Sequence, residues 1–76
     1  MDANDEYLTI LRNAGWHFYE KCRCGGVLKW KYRHPDKPGL ELEWWLKYYQ
    51  FQITERNKVK VPPTRIENLK TQLEQL

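Results

Sequence analysis

The sequence predicts a small α+β domain with the order α-β-β-β(-β)-α, an antiparallel meander sheet and two helices packed on one face. Three observations predict it. Apolar residues recur at helical spacing near both ends: Tyr7, Leu8, Ile10, Leu11 and Ala14, then Ile66, Leu69, Leu73 and Leu76. Between them the pattern changes to strand-like alternation. Gly- and Pro-rich stretches punctuate that alternation as turns.

The first helix is expected over 4–14. Asp2 or Asn4 is placed to cap it, Asp5 and Glu6 suit the positive end of its dipole, and Gly15 ends it with a positive φ. Residues 16–24 read as a strand, and 27–34 as a second. In the second, Leu28, Trp30 and Tyr32 fall on one face and Lys29, Lys31 and Arg33 on the other. A three-residue loop, Cys24-Gly25-Gly26, would pair Cys22 with Leu28 and Phe18 with Tyr32, keeping both apolar sets together. That register sets Glu20 on the apolar side near Trp30.

Pro35-Asp36-Lys37-Pro38-Gly39 is a turn. Leu40, Leu42, Trp44, Leu46 and Tyr48 then alternate with Glu41, Glu43, Trp45 and Lys47 as a third strand. After Tyr48 the apolar parity flips to Tyr49, Phe51 and Ile53, which reads as a bulge or bend. Val59 and Val61 suit a short fourth strand folding back on 50–54. Thr64 with Glu67 reads as a capping box for a last helix over 65–75.

With 76 residues the chain has room for one domain, 1–76, burying roughly 60% of its unfolded surface. Four Trp, five Tyr and two Phe supply the large side chains that so thin a core needs. The start, Met1-Asp2-Ala3-Asn4-Asp5-Glu6, has no signal-peptide pattern, and no apolar run reaches the roughly 20 residues of a membrane span. A cytoplasmic setting with reduced cysteines is therefore expected, since cysteines at i and i+2 of a strand rarely bond to each other.

The formal charge is +3, and its distribution is uneven. Residues 1–20 are acidic, whereas 21–60 carry ten Lys or Arg against Asp36, Glu41, Glu43 and Glu55. Lys21, Arg23, Lys29, Lys31 and Lys47, with Trp45, are expected on the outer sheet face as a nucleic-acid surface, where Tyr19 and Trp45 add stacking. The competing expectation is neutralisation: a five-residue loop at 35–39 pairs Arg33 with Glu41 and Lys31 with Glu43. A second basic cluster, Arg56, Lys58, Lys60 and Arg65, precedes the last helix.

Cys22-x-Cys24-Gly25-Gly26 looks like half a zinc knuckle, but the spacing is one residue and only His17 and His34 remain as further ligands. No metal or other cofactor is expected. Ser is absent, and no phosphate-binding loop or H-E-x-x-H motif occurs, so the chain reads as a non-enzyme.

Leu11-Arg12-Asn13-Ala14-Gly15-Trp16, Tyr32-Arg33-His34-Pro35-Asp36 and Val61-Pro62 running into the last helix resemble the HicA-type toxins, small RNA-cleaving proteins of the double-stranded RNA-binding-domain-like fold. The resemblance implies that fold; the family fold's RNA-binding pattern, a basic start to the last helix and a non-acidic first helix, is absent here, where Arg65 stands nearly alone and the first helix is acidic. The family places its catalytic His on the second strand after a Gly-Ser pair. Aligned on Tyr32-Arg33-His34-Pro35, those places hold Lys29 and Trp30, so RNase activity is not carried over. The leading expectation is a non-catalytic nucleic-acid-binding module. The alternative is a protein-interaction or inhibitor module, homodimeric or binding another protein through Trp45 and the strand edges.

Overall fold

The structure, a computed structural model, describes residues 4–76, with Cys24 described by its backbone alone. Helix α1 (Asn4–Asn13) is followed by strands β1 (His17–Cys24), β2 (Val27–Arg33), β3 (Leu40–Trp45), β4 (Gln50–Glu55) and β5 (Lys58–Arg65), and by helix α2 (Leu69–Glu74). The strands form one antiparallel sheet in the order β1-β2-β3-β4-β5. This is the α+β meander between terminal helices that the sequence predicts. The Asp2 cap lies outside the described residues.

Burial follows the alternation. Leu40, Leu42 and Trp44 of β3, Phe51 and Ile53 of β4, Tyr32 of β2 and Val61 of β5 form the buried face of the sheet. Leu11 of α1, and Ile66 and Leu69 at and before α2, close over it in one cluster with Trp16. Tyr7, Leu8, Ile10, Leu73 and Leu76 pack at the rim of that cluster. Both helices therefore share one layer against one sheet face, and the other face stays open.

The sheet has five strands because the parity flip after Tyr48 is a chain reversal rather than a bulge. Leu46–Tyr48 form a single 3-10 turn, and Tyr49 takes a left-handed φ of 53°. The chain then returns as β4 paired to β3. Lys47 sits in this turn, 5.8 Å from the Tyr48 ring, and is not on the outer strand face where the alternation put it. At the C-terminal end, Thr64 belongs to β5 and its hydroxyl donates to the Pro62 carbonyl at 2.7 Å, so the capping box does not form. A 3-10 turn, Ile66–Asn68, precedes α2 instead.

The β1–β2 register is the decisive difference. Gly25 and Gly26, with φ of 63° and 81°, make a two-residue turn that pairs Cys24 with Val27. Both positive angles match the tight hairpin turn whose twist suits flanking strands. Phe18 pairs with Tyr32 as expected, yet Cys22 pairs with Lys29, not with Leu28. One extra residue in β1 reconciles the two ends: the register shifts between Phe18 and Glu20, a β-bulge at Tyr19. The bulge puts Glu20 opposite Lys31 and away from the apolar side, at the cost of reversing every later residue of β1.

Candidate nucleic-acid interface

The outer face over β1, β2 and β3 follows from the register. Arg33 stands opposite Glu41, Lys31 opposite Glu43 and Lys29 opposite Trp45. The five-residue loop pairing predicted at 35–39 is therefore present, and the ion pairs run mostly on its diagonals. Lys31 Nζ lies 3.7 Å from both Glu20 and Glu41, and Lys29 Nζ lies 3.8 Å from Glu43. The Trp45 indole N–H and the Gln52 amide both donate to Glu43 Oε2, at 3.1 and 3.3 Å. Lys29 also lies 5.3 Å from the centre of the Trp45 ring.

Tyr19, carried outward by the bulge, completes this surface. Its hydroxyl donates to Glu41 at 2.6 Å, and Arg33 stacks 4.0 Å over its ring. Partial burial, the hydrogen bond to Glu41 and that carboxylate's charge together push the Tyr19 phenol up to about 12. Two cations, Lys29 and Lys31, thus pair with three carboxylates, Glu20, Glu41 and Glu43, and Arg33 stacks on the tyrosine that binds Glu41. Such pairs contribute only about 0.2–1 kcal/mol each where exposed, but they cancel the charge of the face. Trp45 is half-buried within the same network.

Lys21 and Arg23 do not join that face. Past the bulge they stand opposite Trp30 and Leu28, on the helix side of the sheet, and this corrects their predicted placement. The reversal that moves them also brings Cys22 out beside Lys29, away from the core position expected for it. Cys22 is disulfide-bonded, which overturns the expectation that it is reduced. The same expectation for Cys24 falls on a side chain outside the described residues.

On the helix side, Lys21 and Arg12 flank a cleft of about 390 Å³ between α1 and the first two strands. Leu8, Trp16, Phe18, Trp30 and Tyr32 form its walls, and His17 completes the lining. Phe18 is 48% exposed and packs edge-to-face on Trp30 and Tyr32, with centroids 6.3 and 5.8 Å away. Trp30 continues edge-to-face onto Trp44 at 5.5 Å. The Trp30 Nε1 donor is buried with no hydrogen-bond acceptor. Among the described residues no carboxylate lines the cleft, and Arg12, Lys21 and Arg23 have no ion-pair partner. Sequence reasoning missed this site because it depends on the bulge. The visible signal was Glu20 left facing Trp30 in the unbulged register.

The remaining candidates have structural roles. The Asp36 amide donates to His34 Nδ1 at 3.1 Å, so the ring proton sits on Nε2, which donates to the Ala14 carbonyl at 2.8 Å. Both ring nitrogens of His34 thus serve the backbone. Among the described residues no three His, Cys, Asp or Glu side chains converge on a metal position. In the second basic cluster Lys60 lies 4.0 Å from Glu55 and Arg65 lies 3.0 Å from Glu67. No helix among the described residues is long and apolar enough to cross a membrane.

No family model, no curated protein and no solved structure matches the chain.

Proposed function

We propose that the protein is a non-catalytic nucleic-acid-binding module, and that its contact surface is the β1 side rather than the outer sheet face. The observation that carries this reading is a contrast in charge. Lys29 and Lys31 are ion-paired with Glu43, Glu20 and Glu41 and Arg33 stacks on Tyr19, whereas Arg12, Lys21 and Arg23 have no ion-pair partner among the described residues, and Arg12 and Lys21 border an aromatic cleft. Unmatched cations beside exposed aromatic rings are the combination that holds phosphate and base together. On this reading Lys29, Lys31, Trp45 and Lys47 are peripheral.

A mobility-shift series with single- and double-stranded DNA and RNA at low and raised salt tests the proposal. Binding at low salt that weakens steeply with added salt supports it. Absence of any shift at low salt overturns it.

One observation favours a second reading, a protein-interaction module. Among the described residues the outer edge of β1 has no strand neighbour, whereas the opposite edge, β5, carries Pro62 and Pro63. An added strand from a second copy or another protein would use the β1 edge. A native mass of twice the chain mass, abolished by a proline at Glu20, would favour it.

A further inference from the structure

We infer that the cleft between α1 and β1–β2 receives a single unstacked nucleobase, with the attached phosphate held by Arg12 and Lys21, so that the preferred partner is single-stranded. This inference rests on the proposed nucleic-acid reading and adds the form of the ligand.

The size of the cleft limits its occupant. Small-ligand sites run from about 300 to 1,000 Å³. At about 390 Å³ the cleft sits near the lower end, with room for one base and its sugar phosphate. A base still stacked in a duplex presents only its edges to a protein, and its ring faces are covered by neighbours. The cleft offers aromatic side chains instead, with Tyr32 buried and Phe18 and Trp30 the more accessible, and such rings recognise a face. The half-exposed ring of Phe18 offers the accessible stacking surface.

Charge selects the same occupant. Among the described residues the cleft is lined by Arg12, Lys21 and His17 and by no carboxylate, so a neutral aromatic compound would leave its cations unmatched. A nucleotide satisfies both sets, placing its ring on the aromatic walls and its phosphate at the cationic rim. Arg23, two residues beyond Lys21 on the same side of β1, extends the cationic track to the next phosphate.

The test is a nuclear magnetic resonance titration of the intact protein with uridine 5′-monophosphate, uridine and ribose 5-phosphate, beside binding measurements with oligouridylate, its duplex and an abasic strand of equal length. The expected result is that the monophosphate moves the Trp30 indole N–H and the Lys21 amide and binds more tightly than either fragment. Oligouridylate is expected to bind about tenfold more tightly than the abasic strand, in line with the stacking of one base, and Phe18→Ala to remove that advantage. Phe18→Leu, which keeps the apolar volume, should act in the same direction. If oligouridylate binds while the abasic strand and the duplex bind equally well and the monophosphate leaves Trp30 unmoved, the base-in-cleft inference is overturned and the broader nucleic-acid reading stands. If neither the monophosphate nor any strand binds, both fall together.

Discussion

The Tyr19 hydroxyl donates a 2.6 Å hydrogen bond to Glu41, and this contact reaches from β1 across β2 to β3. It exists because the bulge turns Tyr19 outward beside Glu20, so two consecutive side chains of β1 meet the charges of β2 and β3. Glu20 takes Lys31, and Tyr19 takes Glu41 while lying under Arg33. One inserted residue thereby neutralises the outer face and delivers Lys21 and Arg23 to the opposite side.

That contact has an alkaline signature. Tyr19 is held up to about 12 by partial burial and Glu41, and Tyr32 to about 12 by burial. A folded-state value above the unfolded value of about 10 means that the native state keeps its protons longer than the unfolded chain. The stabilisation is therefore complete below about pH 10 and is lost as the pH rises toward 12. Absorbance titration of phenolate should show these two tyrosines ionising late, together with loss of structure. In Tyr19→Phe the late step should lose one tyrosine's amplitude, and denaturant stability at pH 7 should fall by about 1 kcal/mol or less, as for a hydrogen bond still open to solvent.

The carboxylates of the outer face are expected to mask its cations. Replacing both in Glu41→Gln with Glu43→Gln leaves Lys29, Lys31 and Arg33 with Glu20 as their only acidic neighbour in the network. Retention on a phosphate-bearing resin at low salt should rise over wild type. Stability should change by about 2 kcal/mol or less, since the lost pairs are partly solvated. Unchanged retention would mean that the pairs do not screen the face.

Gly15 joins α1 to β1 under the ring of His34. Its φ is +91°, and a Cβ there would stand 2.7 Å from His34 Nε2, the atom that donates to Ala14. Gly15→Ala therefore combines left-handed backbone strain with a clash against a ring fixed at both nitrogens. A loss of about 2–4 kcal/mol is expected. For a domain of this size that lowers the midpoint by roughly 10–20 °C in a thermal melt. A variant that also carries His34→Ala should recover part of the loss, the part due to the clash.

Much of the fold was legible because its signals are local. The helical stripes, the alternation of Leu40, Leu42 and Trp44, and the turn at Pro35–Gly39 each lie within a few residues. The β2–β3 pairing of Arg33 with Glu41 follows from loop length alone. The reversal at Leu46–Tyr48 was not legible. No Gly or Pro marks it, and Tyr49 adopts a left-handed φ angle that its residue type does not announce. The site was misplaced for a similar reason. A bulge carries no composition signal of its own, and an offset of one residue moved Lys21, Arg23 and Cys22 to the opposite face. Lys29, Lys31 and Trp45, beyond its reach on β2 and β3, are on the outer face as predicted.

The central claim is that contact lies on the β1 side and not on the outer face. It is tested most directly by the salt dependence of oligouridylate binding in two charge-reversal variants, Lys21→Glu with Arg23→Glu and Lys29→Glu with Lys31→Glu. The account predicts that the first pair abolishes binding at moderate salt or lowers the log–log salt slope by about 1.4, the contribution of two phosphate contacts on a single strand. The second pair should leave that slope close to the wild-type value. The opposite pattern, with binding lost only in the Lys29 and Lys31 variant, would contradict the account and return the interface to the outer sheet face.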